Sequence, residues 1–194
     1  MILRNILNFI NNHLEKINSQ LRNIYLNSSF YEKKISKIYY NELTYKPSPH
    51  LLSSLIKYQK QKININNISA ENLWENVNKN NENFKRLNNF YWFFTLDLKS
   101  SKKNTQKIIT DWINKNDKYN SRSWEFDLTS KRIIAWLSNH SLTTEESNED
   151  YINIFNIMIQ KQANHLINEI NNSKSTHNKI IGCSAIILVG LSYK

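Results

Sequence analysis

A chain with only two glycines and two prolines in 194 residues has few places at which it can turn tightly. Sheets built from hairpins draw on those residues at their connections, because Gly supplies positive φ and Pro presets φ for a turn. Their scarcity favours long helices joined by short polar breaks, and hence an all-α chain. The length suits one domain with a buried core, at most with an N-terminal arm. At 40% hydrophobic and 12% aromatic residues, the chain is too apolar to be disordered.

Helical periodicity is strongest between Leu87 and Trp136, where four of the five tryptophans lie. Leu87, Phe90, Tyr91, Phe94 and Leu98 predict one helix, and Ser100–Asn104 a polar break. Ile108, Ile109, Trp112 and Ile113 give one face to a helix over Thr105–Asn116. Asp127 reads as the N-cap of a helix over Leu128–His140, carrying Ile133, Ile134, Trp136 and Leu137. The run Ser147–Asp150 resembles a capping box opening a long helix from Tyr151 to Ile170. Asn171–Asn178 reads as a polar loop. Lys179–Tyr193 is apolar nearly all round and reads as a fully enclosed helix, with Cys183 as a small buried hydrophobe. A domain ending on such a helix would leave it outside, so further chain is expected after Lys194.

The N-terminal part, residues 1–69, reads as one helix followed by an irregular extension, ahead of the helices of 70–194. Apolar residues of 2–26 recur in steps of three and four, including Ile10, Leu14, Ile17, Leu21 and Ile24. The expectation is that this amphipathic helix packs on the domain or extends as an arm; the alternative is a membrane-surface helix. Lys46 and Ser48 each precede a proline, which disfavours helix there. Leu51–Ile56 reads as a short turn of helix, Lys57–Lys62 as a basic surface patch, and Ile63–Ile68 as a short extended piece. Ser69–Asn72 reads as the cap of a helix with Leu73, Trp74 and Val77, and residues 76–83 as a loop.

The net charge of +10 suits polyanions in general, although an Asn-, Lys- and Ile-rich composition also yields such a charge without a partner. One cysteine excludes an internal disulfide. The N-terminus lacks the apolar run and cleavage site of a signal peptide, and no run approaches a membrane span. A cytoplasmic location is the default. Five scattered histidines show no metal spacing, two glycines cannot form a phosphate loop, and no nucleophile elbow occurs. Neither a metal nor a cofactor is expected.

Several runs, in order and spacing over roughly residues 85–194, resemble the N-terminal helical region of the heparinase II/III-like family. They are LNNFYWFF from Leu87, ITDWINKN from Ile109, Trp124, KRIIAWLSN from Lys131, QANHL from Gln162 and IGCSAIILVGL from Ile181. Tyr45–His50 is similar to the leader of some members. The resemblance implies an incomplete (α/α) toroid of antiparallel helix pairs, normally followed by a β-sandwich. It implies polysaccharide lyase chemistry, in which a base removes the C5 proton of a uronate whose carboxylate is neutralised. The family's Asn-His pair before the last helix falls on Asn178 and Lys179, with His177 one residue out of register. The family's distal Tyr and sandwich fall beyond residue 194, so no activity is expected from these residues alone. A periplasmic location is a further implication.

Asn178 and His177 are thus the candidate catalytic residues, and Arg132, Trp136, Trp92, Asn139 and Lys179 the candidate substrate contacts. Arg132 and Trp136 stand one helical turn apart, as a carboxylate clamp beside a sugar-stacking ring or as core residues. Tyr91 and Trp92 must point apart, so one packs while the other lines a cleft. Asn139 and His140 end a helix and read equally as cap and solvent groups. His165 lies near an apolar face and reads as a structural histidine. The expected partner is an acidic polysaccharide, with no specific nucleic acid. The competing reading is a non-catalytic basic helical module that binds nucleic acid or an anionic membrane surface.

Overall fold

The structure is a computed structural model that describes residues 2–39, 42–44, 46–47, 81–96 and 101–193. The expectations for Leu51–Val77 and for Leu98 lie outside the described residues. Among those residues there are eight α-helices and no strand. They are α1 (Ile2–Leu26), α2 (Ser29–Ile35), α3 (Asn81–Asn88), α4 (Lys102–Lys115), α5 (Phe126–Ser138), α6 (His140–Thr143), α7 (Glu149–Glu169) and α8 (Thr176–Ser192). The all-α expectation holds, and no helix among the described residues is long and apolar enough to cross a membrane.

Caps mark where the helices begin. Ser28, Ser101, Asn148 and Ser175 each accept a main-chain N–H three residues on, from Tyr31, Asn104, Tyr151 and Asn178. The cap of α7 is therefore Asn148, inside the expected box. Asp127 is not a cap: α5 starts at Phe126 behind Glu125, and Asp127 pairs with Lys131 at 2.8 Å one turn on. α3 begins at Asn81, inside the expected loop.

The helix expected from Leu87 to Leu98 breaks. α3 ends at Asn88, Phe90 takes φ 57°, and Tyr91–Thr95 form a 3-10 turn. A left-handed Phe is unfavourable by itself. Its ring has no exposed surface, however, and meets Phe93, Trp112 and Trp136 edge-on at 5.1, 6.1 and 5.1 Å between centroids. Burial of that ring holds the kink.

The most enclosed helix is α5, not α8. α5 buries Leu128–Ser130 and Arg132–Ser138. α8 buries only Gly182, Ala185, Val189 and Ser192, while Ile180, Cys183, Ile187 and Leu191 are exposed. Small residues face inward because they let the helix approach closely: a Cβ on Gly182 would stand 2.3 Å from Phe126 Cζ. Of the large aliphatic residues, Ile180, Ile187 and Leu191 are left outside, while Ile181, Ile186 and Leu188 pack partly against the core.

The N-terminal part is tied down by buried polar contacts. The Tyr31 hydroxyl and His165 Nδ1 are 2.7 Å apart, and Lys161 pairs with Glu32 and donates to the Asp117 carbonyl. Thr44 N–H donates to the Ser192 carbonyl at 2.8 Å, beside a bridge between Leu43 and Tyr193. Yet of the two expectations for α1, packing by its apolar face does not occur at its described side chains. Ile10, Leu14, Ile17, Leu21 and Ile24 are exposed, and among the described side chains of α1 only Leu26, at its end, reaches the core.

Candidate polar cleft at the start of helix α8

The polar face of α1 looks across at the turn between α7 and α8. Asn12, Glu15, Lys16, Asn18, Ser19 and Arg22 line one wall of an open cleft of ≈ 840 Å³, and Asn171–Lys174 line the other. Arg22 pairs with Glu169 at the last turn of α7, and Glu15 stands 3.7 Å from Lys174. The second pair is exposed and weak. Three cationic side chains against one carboxylate give the lining a positive balance.

Beyond this wall, Ser175 caps α8 and places His177, Asn178 and Lys179 in its first turn. His177 and Asn178 are therefore helical rather than in the expected loop. Ser175 Oγ takes the Asn178 N–H at 3.3 Å and its carbonyl takes the Lys179 N–H at 3.0 Å. His177 is exposed, and Asn178 and Lys179 are half-buried. The first-turn N–H groups add positive potential at this end.

The remaining sequence candidates sit elsewhere. Arg132 has no exposed surface. Its Nε donates to Gln162 Oε1 at 2.8 Å, its Nη1 to the carbonyls of Asn88 and Ser123 at 2.9 and 3.0 Å, and its Nη2 to Thr129 Oγ1 at 3.2 Å. The guanidinium lies 3.9 Å from the centre of the Trp112 ring. Trp136 is likewise fully buried, edge-on to Trp112 at 5.5 Å. In place of a clamp beside a stacking platform, the two form part of one interior cluster. Trp92 is buried and donates Nε1–H to the Leu87 carbonyl at 3.3 Å, so it packs while its neighbour Tyr91 is half-buried. Asn139 closes α5, its side-chain amide donating to the Ala135 carbonyl at 2.8 Å.

His165 is buried with both ring nitrogens engaged, as expected of a structural histidine. Its Nε2 meets the Trp124 carbonyl at 2.9 Å. A carbonyl only accepts, so Nε2 carries the proton and the Tyr31 hydroxyl donates to Nδ1. Burial lowers its pKa to about 3, with Arg132 and Arg22 adding to the effect.

A second recess lies beside α4, lined by Lys102, Lys103, Lys107 and Tyr151 among others. There Lys102 already meets Glu145 at 3.0 Å and Glu146 at 2.6 Å, which offsets its charge. The cleft at α8 is the stronger candidate because it is the roomier of the two, ≈ 840 against ≈ 400 Å³. Sequence reasoning missed Asn12, Lys16, Arg22 and Lys174. Their signal was the polar stripe on α1 at helical spacing, which reads as solvated surface until the body is seen opposite it. No group of histidine, cysteine and carboxylate side chains suited to a metal ion occurs among the described residues. Comparison with family models, with curated proteins and with solved structures finds no match.

Proposed function

We propose that the chain is the helical domain of a heparinase II/III-like polysaccharide lyase and binds an acidic, uronate-containing glycan for β-elimination. On this reading the helices belong to an incomplete (α/α) toroid of antiparallel pairs. The observation that carries the proposal is the cleft of Asn, Ser, Lys and Arg side chains, one wall of which ends at Lys174, just before α8. A sugar polymer presents hydroxyls that need donors and acceptors, and carboxylates that need cations; this lining supplies both. Lys174 and Lys179 suit uronate carboxylates. The family resemblance gives Asn178 and His177 the role of polarising the carboxylate so that C5–H becomes acidic. The base and the remainder of the catalytic apparatus come from outside these residues.

The test is affinity electrophoresis of the chain in gels containing pectate, alginate, hyaluronan or heparin, with duplex DNA as the competing polyanion. The expected result is retardation by at least one uronate polymer, weakened about tenfold in Lys174→Glu and in Lys179→Glu. Failure to bind any uronate polymer, or equal binding to duplex DNA, removes the proposal in favour of a generic polyanion binder.

A further inference from the structure

The exposed stripe of α1 has a spacing that its amphipathicity alone does not require. Leu3, Leu7, Ile10, Leu14, Ile17, Leu21 and Ile24 follow one another by steps of four and three in strict alternation. That is a heptad repeat with Leu at each a position and Ile at d from residue 7 onward. A helix packed on a globular core shows a broader apolar stripe with a period of 3.6 residues. The strict period of 3.5 is the signature of a seam between supercoiled helices.

The body of the protein cannot cover this seam, because it faces the other side of the same helix. Asn12, Glu15, Lys16, Ser19 and Arg22 look toward the α7–α8 turn, and Arg22 is held there by Glu169. The described seam residues, Ile10, Leu14, Ile17, Leu21 and Ile24, are between 47% and 69% exposed. Leu26 and the Tyr25–Tyr31 ring contact anchor only the C-terminal end.

We infer that α1 is a self-association helix whose occupant is α1 of further copies of this chain, joined as a coiled coil. An identical helix brings the same repeat in the same register, so the seam is complementary to itself. The residues flanking the seam support this. From Leu7 to Ile24, Asn11 and Asn18 at the e positions and Gln20 at a g position are uncharged side chains, so like chains meet there without repulsion; Arg4, at the e position before them, is the charged exception. A helix that lies on an anionic bilayer would instead carry Lys and Arg along the border of its apolar face. Leu at a with Ile at d favours three or four strands over two. The inference stands apart from the reading of the cleft, which lies on the other side of α1 and shares with the seam's border only Asn18.

Sedimentation velocity of the full chain, at concentrations up to on the order of 100 µM, tests it. The expected result is a concentration-dependent oligomer of the 23.1 kDa chain. Leu14→Glu with Ile17→Glu should return it to monomer while thermal unfolding of the body persists. Phe9→Gln, exposed on α1 but off the seam, should leave the oligomer intact and so separates a registered seam from general stickiness. A monomer throughout the range, an oligomer indifferent to the seam variant, or one equally lost in Phe9→Gln would overturn the inference. So would a monomer that floats with phosphatidylglycerol vesicles through the same residues.

Discussion

Arg132 carries a positive charge to the centre of the molecule, and its partners say why it is tolerated there. Burial pushes its pKa well below the ordinary guanidinium value. Opposing this, two main-chain carbonyls, an amide oxygen and a hydroxyl accept from it, and the Trp112 face lies against its plane. Asn88 and Ser123 belong to segments on either side of α4, so one side chain ties α3, α5, α7 and the lead into α5 together. Lysine has a compact ammonium with three donors and cannot reproduce a planar fork. Arg132→Lys should therefore lose about 2–4 kcal/mol of stability, read as a fall in the urea midpoint. The folded fraction should bind uronate polymers as the parent does. A stable Arg132→Lys protein that has lost glycan binding would return Arg132 to the role of carboxylate clamp.

Among the elements, α5 and α8 meet through a glycine. Alanine in place of Gly182 adds helix propensity, worth up to about 1 kcal/mol, but drives a methyl into the Phe126 ring. Phe126 is half-buried, so its ring must swing outward, and overpacking of this kind destabilises by about 1–3 kcal/mol. Gly182→Ala alone should lower the melting temperature; made in a Phe126→Ala background it should raise it. An effect of the same sign in both would mean that the contact does not govern this packing. The sequence made much of this level legible. α4, α5 and α7 follow from apolar residues at three- and four-residue spacing with Ser or Asn before two of them. It hid the break at Phe90, because only the completed aromatic cluster stabilises that backbone. It hid the orientation of α8, because a helix apolar on every side does not say which side is inner. Arg132 misled for the converse reason, since its acceptors come from segments far apart in sequence.

At the scale of the whole molecule, the candidate cleft was half-legible. The polar stripe of α1 is visible in the sequence, but which face of that helix turns toward the body is a tertiary fact. What joins α1 and α2 to the helices behind them is a set of buried polar groups, and this makes the fold sensitive to acid. His165 is neutral in the folded chain with a pKa of about 3, against 6.5 for a free histidine. Above pH 6.5 neither state binds its proton and it contributes nothing to the pH dependence. As pH falls below that value the unfolded chain takes up a proton that the folded chain excludes, so stability declines, by about 1.4 kcal/mol per pH unit for one such group. His140, half-buried and with its pKa also lowered by burial, acts in the same direction. An ordinary carboxylate titrates at about 4, which leaves the interval from about pH 6.5 to pH 5 to the histidines. Urea unfolding across that interval should show stability falling with acid. His165→Gln should be less stable at neutral pH, through loss of contacts with Tyr31 and Trp124, and its slope should shrink to the part that His140 supplies. An unchanged slope in His165→Gln would show that another group takes up the proton, and that the Tyr31–His165–Trp124 chain is not what acid breaks.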